Sequence, residues 1–195
     1  IIIISKNNIF MRILNKKFYS QDAAFIAKQL LGKIIVRNIG NEVLAGKIVE
    51  TEAYYSTNDP ASRAYKGYNN FAKLMWDEPG TIFIYMVHAN WLLNIVTMPM
   101  NIASAVLIRA IEPLTGITTM EKHRKNKGIN LTNGPGKLTQ SLMITKDFNN
   151  TKITNKDGRL FILDNAEKIE IKSSYRVGVK KDLKRKLRFF IRDNN

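Results

Sequence analysis

Val43-Leu44-Ala45-Gly46-Lys47-Ile48-Val49 is an apolar, β-prone run that ends in Glu50-Thr51-Glu52-Ala53-Tyr54. As extended chain its side chains alternate between two faces, so Glu50, Glu52 and Tyr54 share one face. Carboxylates at the end of a buried strand lose hydration and must be paired, protonated or held poised as proton acceptors. The residues alone leave two readings open. Most Glu-x-Glu pairs on strands are solvated or salt-bridged, and a general base needs the same poised carboxylate.

The flanking sequence extends this segment into a sheet. Lys33-Ile34-Ile35-Val36-Arg37, a turn around Gly40-Asn41 and the run from Val43 to Tyr54 form a β-hairpin pattern. Upstream, Ser20 is the expected N-cap of a helix through Asp22 to Leu31, with Gly32 at its left-handed C-terminal position. From Ser56 to Pro79 the chain is polar and aromatic without clear period, and so long an irregular insertion is usually functional or disordered. Strands are predicted at Thr81 to Val87 and Trp91 to Val96, joined by His88-Ala89-Asn90. A third is predicted from Ala105 to Ile111, ending in Glu112-Pro113. Helices are predicted from Ile117 to Lys125 and from Gly134-Pro135-Gly136 through Leu142, and short strands near Leu160, Ile169 and Leu187 to Ile191. Strands outnumber helices and few crossovers are helical. The expected fold is therefore α+β: a single domain with a mainly antiparallel, curved sheet and flanking helices. Residues 1–10 are expected to be an extension outside that fold, and 11–195 the domain proper.

The 195 residues suffice for one well-cored domain. Thirty-one Lys and Arg against sixteen Asp and Glu leave a formal charge of +15, which self-repels unless the working partner is polyanionic. The basic residues spread from Lys16 to Arg192, which favours nucleic acid over an anionic membrane. The absence of cysteine excludes disulfides, thiolate nucleophiles and zinc fingers, and with only His88 and His123 a multi-histidine metal site is not expected. No metal or cofactor is expected. The Ile1 to Ile4 run is too short to span a bilayer and has no basic flank before it, so an intracellular protein is expected, in cytoplasm or nucleoid if prokaryotic.

Several polar or aromatic groups interrupt otherwise apolar strands: Glu50, Glu52, Tyr54, Tyr85, Asn94 and Arg109. Arg109 lies mid-strand, where a lone guanidinium is costly unless a carboxylate faces it, and Glu50 or Glu52 is the expected partner. A structural salt bridge accounts for that pair equally well. Asn94 fits a satisfied core amide and Tyr85 plain packing. Two carboxylates could also bind magnesium, as in a metal-dependent nuclease.

Taken together these blocks resemble the alkyladenine, or 3-methyladenine, DNA glycosylase family of base-excision repair. The match runs from about Phe18-Tyr19 to Arg192. It includes Leu30-Leu31-Gly32-Lys33, Val49 to Tyr54, Asp59-Pro60-Ala61-Ser62, Pro79-Gly80-Thr81, Tyr85, Asn94, Leu107 to Pro113, Asn133 to Leu138 and Arg176-Val177-Gly178-Val179. The resemblance implies a sheet like that of a formyltransferase C-terminal domain and a monofunctional glycosylase without lyase activity. It implies Glu52 as the base that activates water, with Arg109 positioning that water. Tyr54 and Tyr85 would be the walls between which a flipped base stacks, and Asn94 the amide that helps reject guanine. The implied partner is double-stranded DNA containing damaged purines, bound by a monomer away from any membrane. A catalytically weakened lesion-binding protein of the same fold is the alternative.

Three positions depart from the family pattern. Arg63 stands where a site-lining histidine is usual; arginine stays cationic and offers no acceptor. Asn69-Asn70-Phe71-Ala72 replaces a Thr-Pro-Arg-Asn segment. The hairpin tip, usually carrying a tyrosine pushed into the DNA stack, is one residue shorter, with His88 as the wedge candidate or else a plain turn residue. Gly136 and Lys137 at a helix start, and Lys184 and Arg185 in the densest basic stretch, are the candidates for backbone phosphate contact. A turn that needs glycine and a merely solvated charge run are the competing readings.

Overall fold

The axis of the sheet is β4 (Glu42–Tyr54), the long strand expected from its apolar run. Along one edge it pairs with β7 (Ala105–Thr115), antiparallel over nearly its whole length. Along the other it takes two partners in succession: β3 (Ile34–Ile39) against its first half and β10 (Arg188–Ile191) against Glu50, Thr51 and Glu52. The computed structural model of the protein describes residues 2–3, 10–156 and 158–194. Beyond β7 lie β6 (Asn90–Val96) and β5 (Ile82–Val87). Beyond β3 and β10 lie β8 (Leu160–Leu163) and β9 (Ile171–Ser174), which makes this sheet eight-stranded among the described residues, every ladder antiparallel. With few helices laid against this curled sheet, the predicted α+β class is the one observed. Most of the expected extension, residues 1 and 4–9, lies outside the described residues; the backbone of β1 (Ile2–Ile3) pairs with β2 (Phe10–Met11).

The helices are α1 (Lys16–Tyr19), α2 (Ala23–Leu30), α3 (Ile117–Arg124) and α4 (Pro135–Ser141). Ser20 does not cap α2. Its hydroxyl bonds back to the Lys16 carbonyl, and Asp22 caps instead by accepting from the amides of Ala24 and Phe25. Asp22 wins because it sits one residue before the helix and a carboxylate complements the N-terminal dipole. Gly32 adopts the expected left-handed conformation at φ +80°. α2 buries Ile26, Ala27 and Leu30 with Leu44, Ile48, Val106 and Ile108 in the main core. The Thr51 hydroxyl ties the helix to β4 by donating to the Ala27 carbonyl at 2.7 Å.

Two bulges decide what β4 presents to each face. In register with β7, Ile48 faces Ile111, Glu50 faces Ala110 and Thr51 faces Ile108, so Val49 and then Arg109 are each an extra residue. Before the bulge Leu44 and Ile48 point into the main core; after it, Thr51 and Ala53 do. The phase of the strand has flipped. Without the extra Val49, strict alternation would aim Glu50 and Glu52 at the core helix. The expected end of β7 near Glu112-Pro113 is corrected too: the strand continues to Thr115, carrying Pro113 at another register shift, where its missing N–H is tolerated.

Candidate active site

Glu52 is fully buried, and three donors reach its carboxylate. The Val177 amide donates to Oε1 at 2.8 Å, while Tyr54 Oη at 2.8 Å and a terminal guanidinium nitrogen of Arg109 at 3.3 Å donate to Oε2. Burial drives its pKa up, and the adjacent Glu50 charge adds to that. Arg109 and the two hydrogen bonds offset only part, so the carboxyl sits above the ordinary range. In its ionised form such a carboxylate is more basic than a solvated one, as a general base requires. Burial, reinforced by the Glu52 charge, also pushes the Tyr54 phenol up, so it stays a proton donor.

Glu50 has a different task. Its Oε1 accepts from Nε of both Arg109 and Arg188, each at 2.6 Å. Burial alone would raise its pKa, but the two guanidiniums outweigh that and hold it below the ordinary range. One carboxylate is thus locked as a counterion and the other kept basic. Arg109, released from the ladder by its bulge, spans both.

A second buried network clamps the site from beneath. Arg176 and Asp59 have fully buried side chains and meet in a bidentate pair at 2.7 and 2.6 Å. The same guanidinium binds Asp182 and the Ala53 carbonyl, and its Cζ lies 4.5 Å from the centre of the Tyr54 ring. Arg176 also precedes Val177, whose amide holds Glu52. The pair therefore fastens the start of the irregular segment that follows β4, and the segment after β9, to the end of β4. Asp59, Arg176 and Asp182 carry no role of their own in the sequence reading, and Arg188 enters it only as a member of the densest basic stretch expected to contact the DNA backbone, whereas its Nε binds Glu50. Their signal was there, since the Asp59 and Arg176 blocks belong to the family pattern, but charge runs do not reveal which members face inward.

Above this floor is a cleft lined by Tyr54, Arg63, Met75, Phe83, Tyr85, Asn94 and Ala105. All four residues expected to meet the base are thus in one place. Asn94 is buried, its amide nitrogen donating to the carbonyls of Phe83 and Leu92. The Arg63 guanidinium lies over the Tyr85 ring at 4.8 Å and the Phe71 ring at 5.6 Å from their centres. The free space is about 10 Å³, room for one water, so a purine enters only if the walls part.

The DNA-contact candidates lie apart from this centre. His88 is exposed at the tip of the β5–β6 hairpin, where it and Ala89 both take left-handed conformations. Gly136 backs that hairpin: a Cβ there would come within 2.6 Å of Asn90. Lys137 donates to the side-chain carbonyls of Asn130 and Asn133. Lys184 is exposed, and Arg185 stacks 4.3 Å from the centre of the Tyr55 ring. Among the described residues no three His, Asp or Glu side chains are grouped to share a metal ion.

Sequence comparisons identify the family of the chain. Residues 17–195 match the family model described as methylpurine-DNA glycosylase. A Chlorobium phaeobacteroides protein, provisionally named 3-methyladenine DNA glycosylase, is 39% identical over 94% of this chain and 95% of its own length. One from Clostridium novyi is 40% identical over 94% and 97%, and one from Francisella tularensis 39% identical over 86% and 89%, both under the same provisional name. With its buried, raised carboxylate beneath an aromatic cleft, the chain belongs to the methylpurine-DNA glycosylase family.

Proposed function

We propose that the protein is a monofunctional DNA glycosylase that flips a damaged purine out of duplex DNA and hydrolyses its N-glycosidic bond with water activated by Glu52. The observation that carries this reading is the fully buried Glu52, held by Val177, Tyr54 and Arg109 beside a cleft walled by Tyr54 and Tyr85. Extruding a base costs a few kcal/mol, least for a damaged pair, and stacking on aromatic walls returns about 1–3 kcal/mol.

As the C1′–N bond lengthens, positive charge grows on the sugar and the Glu52 carboxylate stabilises it electrostatically. Arg109 orients the water. Glu52 takes its proton as the oxygen bonds to C1′, and the bond's electron pair leaves with the base. Glu50 and Arg188 keep Arg109 in place. The +15 charge supplies salt-dependent attraction to the duplex, with His88 as the candidate wedge and Gly136, Lys137, Lys184 and Arg185 as candidate backbone contacts.

The deciding measurement is single-turnover release of 3-methyladenine and hypoxanthine from duplex DNA by wild type and Glu52→Gln. Loss of a general base lowers the rate by about a hundredfold to ten-thousandfold. A variant as fast as wild type would sink this assignment. Binding of lesion DNA with no release by wild type at any enzyme concentration would leave only the weakened-binder reading.

A further inference from the structure

We propose that Arg63 makes this site selective by charge, favouring neutral purine lesions with acceptor atoms on the departing ring over purines made cationic by ring alkylation. This rests on the glycosylase reading of the same cleft. Arg63 lines the cleft with Tyr85 and is itself exposed, its guanidinium already filling cation–π positions over the Tyr85 ring and over Phe71 outside the lining. No carboxylate is within salt-bridge distance of it among the described residues, because Glu50 and Glu52 are held by Arg109, Arg188, Tyr54 and Val177. A base that enters the cleft therefore meets an uncompensated positive charge and a set of N–H donors, where a neutral imidazole would offer an acceptor.

Two consequences have opposite sign. A neutral purine leaves with the bond's electron pair and carries developing negative charge, which a guanidinium stabilises and hydrogen-bonds. The proton taken by Glu52 returns to that base through solvent, so atoms and charge balance. A ring-alkylated purine enters already cationic and departs neutral. It feels repulsion from Arg63 on arrival, and the relief of that repulsion as it departs neutral only returns what entry cost, so the two substrates are separated at entry into the cleft. Unit charges about 4 Å apart interact by an energy worth roughly fivefold in bulk water and far more where water is excluded, so each effect should be about tenfold or larger at this half-open mouth.

The test compares single-turnover release of hypoxanthine, neutral, and 3-methyladenine, cationic in DNA, by wild type, Arg63→Gln and Arg63→Lys, with enzyme below saturation so that binding and entry of the base count in the rate. Each ratio sets the same two substrates against each other, so intrinsic lability cancels between proteins. Arg63→Gln should slow hypoxanthine release and speed 3-methyladenine release, lowering the ratio at least about tenfold, while Arg63→Lys keeps it near wild type. A ratio unchanged in Arg63→Gln, or a loss shared equally by both substrates, overturns the charge argument and leaves the glycosylase reading standing. Release of neither base by all three proteins overturns both.

Discussion

Replacing Asp59 by Asn removes one charge from a fully buried pair while keeping its shape, and this tests how the active site is held. The Asp59 carboxylate accepts two bonds from Arg176 and one each from the amides of Tyr55 and Ala61. Each oxygen accepts two of these bonds and an amide cannot accept at both ends, so two of the four donors meet an NH2 group. Breaking a buried ion pair from one side costs about 3–5 kcal/mol. Asp182 still serves Arg176, which places the loss near the lower end, about 3 kcal/mol. For a domain of this size that lowers the melting temperature by about 6–12 °C. Asp182→Asn should cost less, because that carboxylate is partly exposed and keeps water as a substitute partner. Below its melting point Asp59→Asn should also release base about tenfold more slowly, since a loosened Arg176 lets the Val177 amide drift from Glu52. Circular dichroism melts and single-turnover assays read the two effects. Asp59→Asn melting with wild type, or Asp182→Asn melting lower than Asp59→Asn, would refute the view that this pair fastens the site.

Base release should fall as pH drops through the raised pKa of Glu52, because only the ionised form accepts a proton; the acid limb lies above the ordinary 4.5 of a glutamate. Arg109→Gln removes an offsetting positive charge and should move that limb to higher pH, which a pH–rate profile of both proteins checks. Ala89→Gly should stabilise the protein by about 1 kcal/mol, since Ala89 sits at φ +60° in the two-residue hairpin turn where only glycine is unstrained; thermal melting reads it. Lys184→Ala should weaken binding uniformly across sequences and reduce the slope of log affinity against log salt by about 0.9, measured by fluorescence anisotropy; an unchanged slope means Lys184 makes no phosphate contact.

The strand that carries Glu50, Glu52 and Tyr54 was legible because its apolar run and its polar end could be read from residue types. So was Arg109's need for a carboxylate, since its neighbours Ile108 and Ala110 are apolar. The phase flip at Val49 was not, because a bulge adds a residue that looks like any other β-branched one, and its position depends on the β7 register. Nor were the partners of Arg176 and Arg188 legible. Both stand in or beside a basic stretch that reads as solvated, and only the pairing of β10 with β4 brings Arg188 to Glu50. Ser20 was misread as a cap because serine and aspartate share that preference and spacing alone did not separate them. The cleft residues Met75 and Phe83 drew no reading of their own, one lying in the irregular insertion and the other in an apolar strand run, and both belong in part to the core.

The amide that completes Glu52 comes from Val177, 125 positions further along the chain. The Glu52 carboxylate is therefore assembled by widely separated parts of the sequence, and closing so long a loop costs more entropy than pairing neighbouring strands. A chain still being made, with β4, β5, β6 and β7 in place but nothing yet beyond β8, holds the aromatic cleft and the glutamate without the group that sets the glutamate's orientation. Under the proposed function, competence to cut is thus tied to completion of the fold, because a chain cut short before Arg176 keeps only Tyr54 and Arg109 on Glu52 and lacks the Val177 amide on its other oxygen.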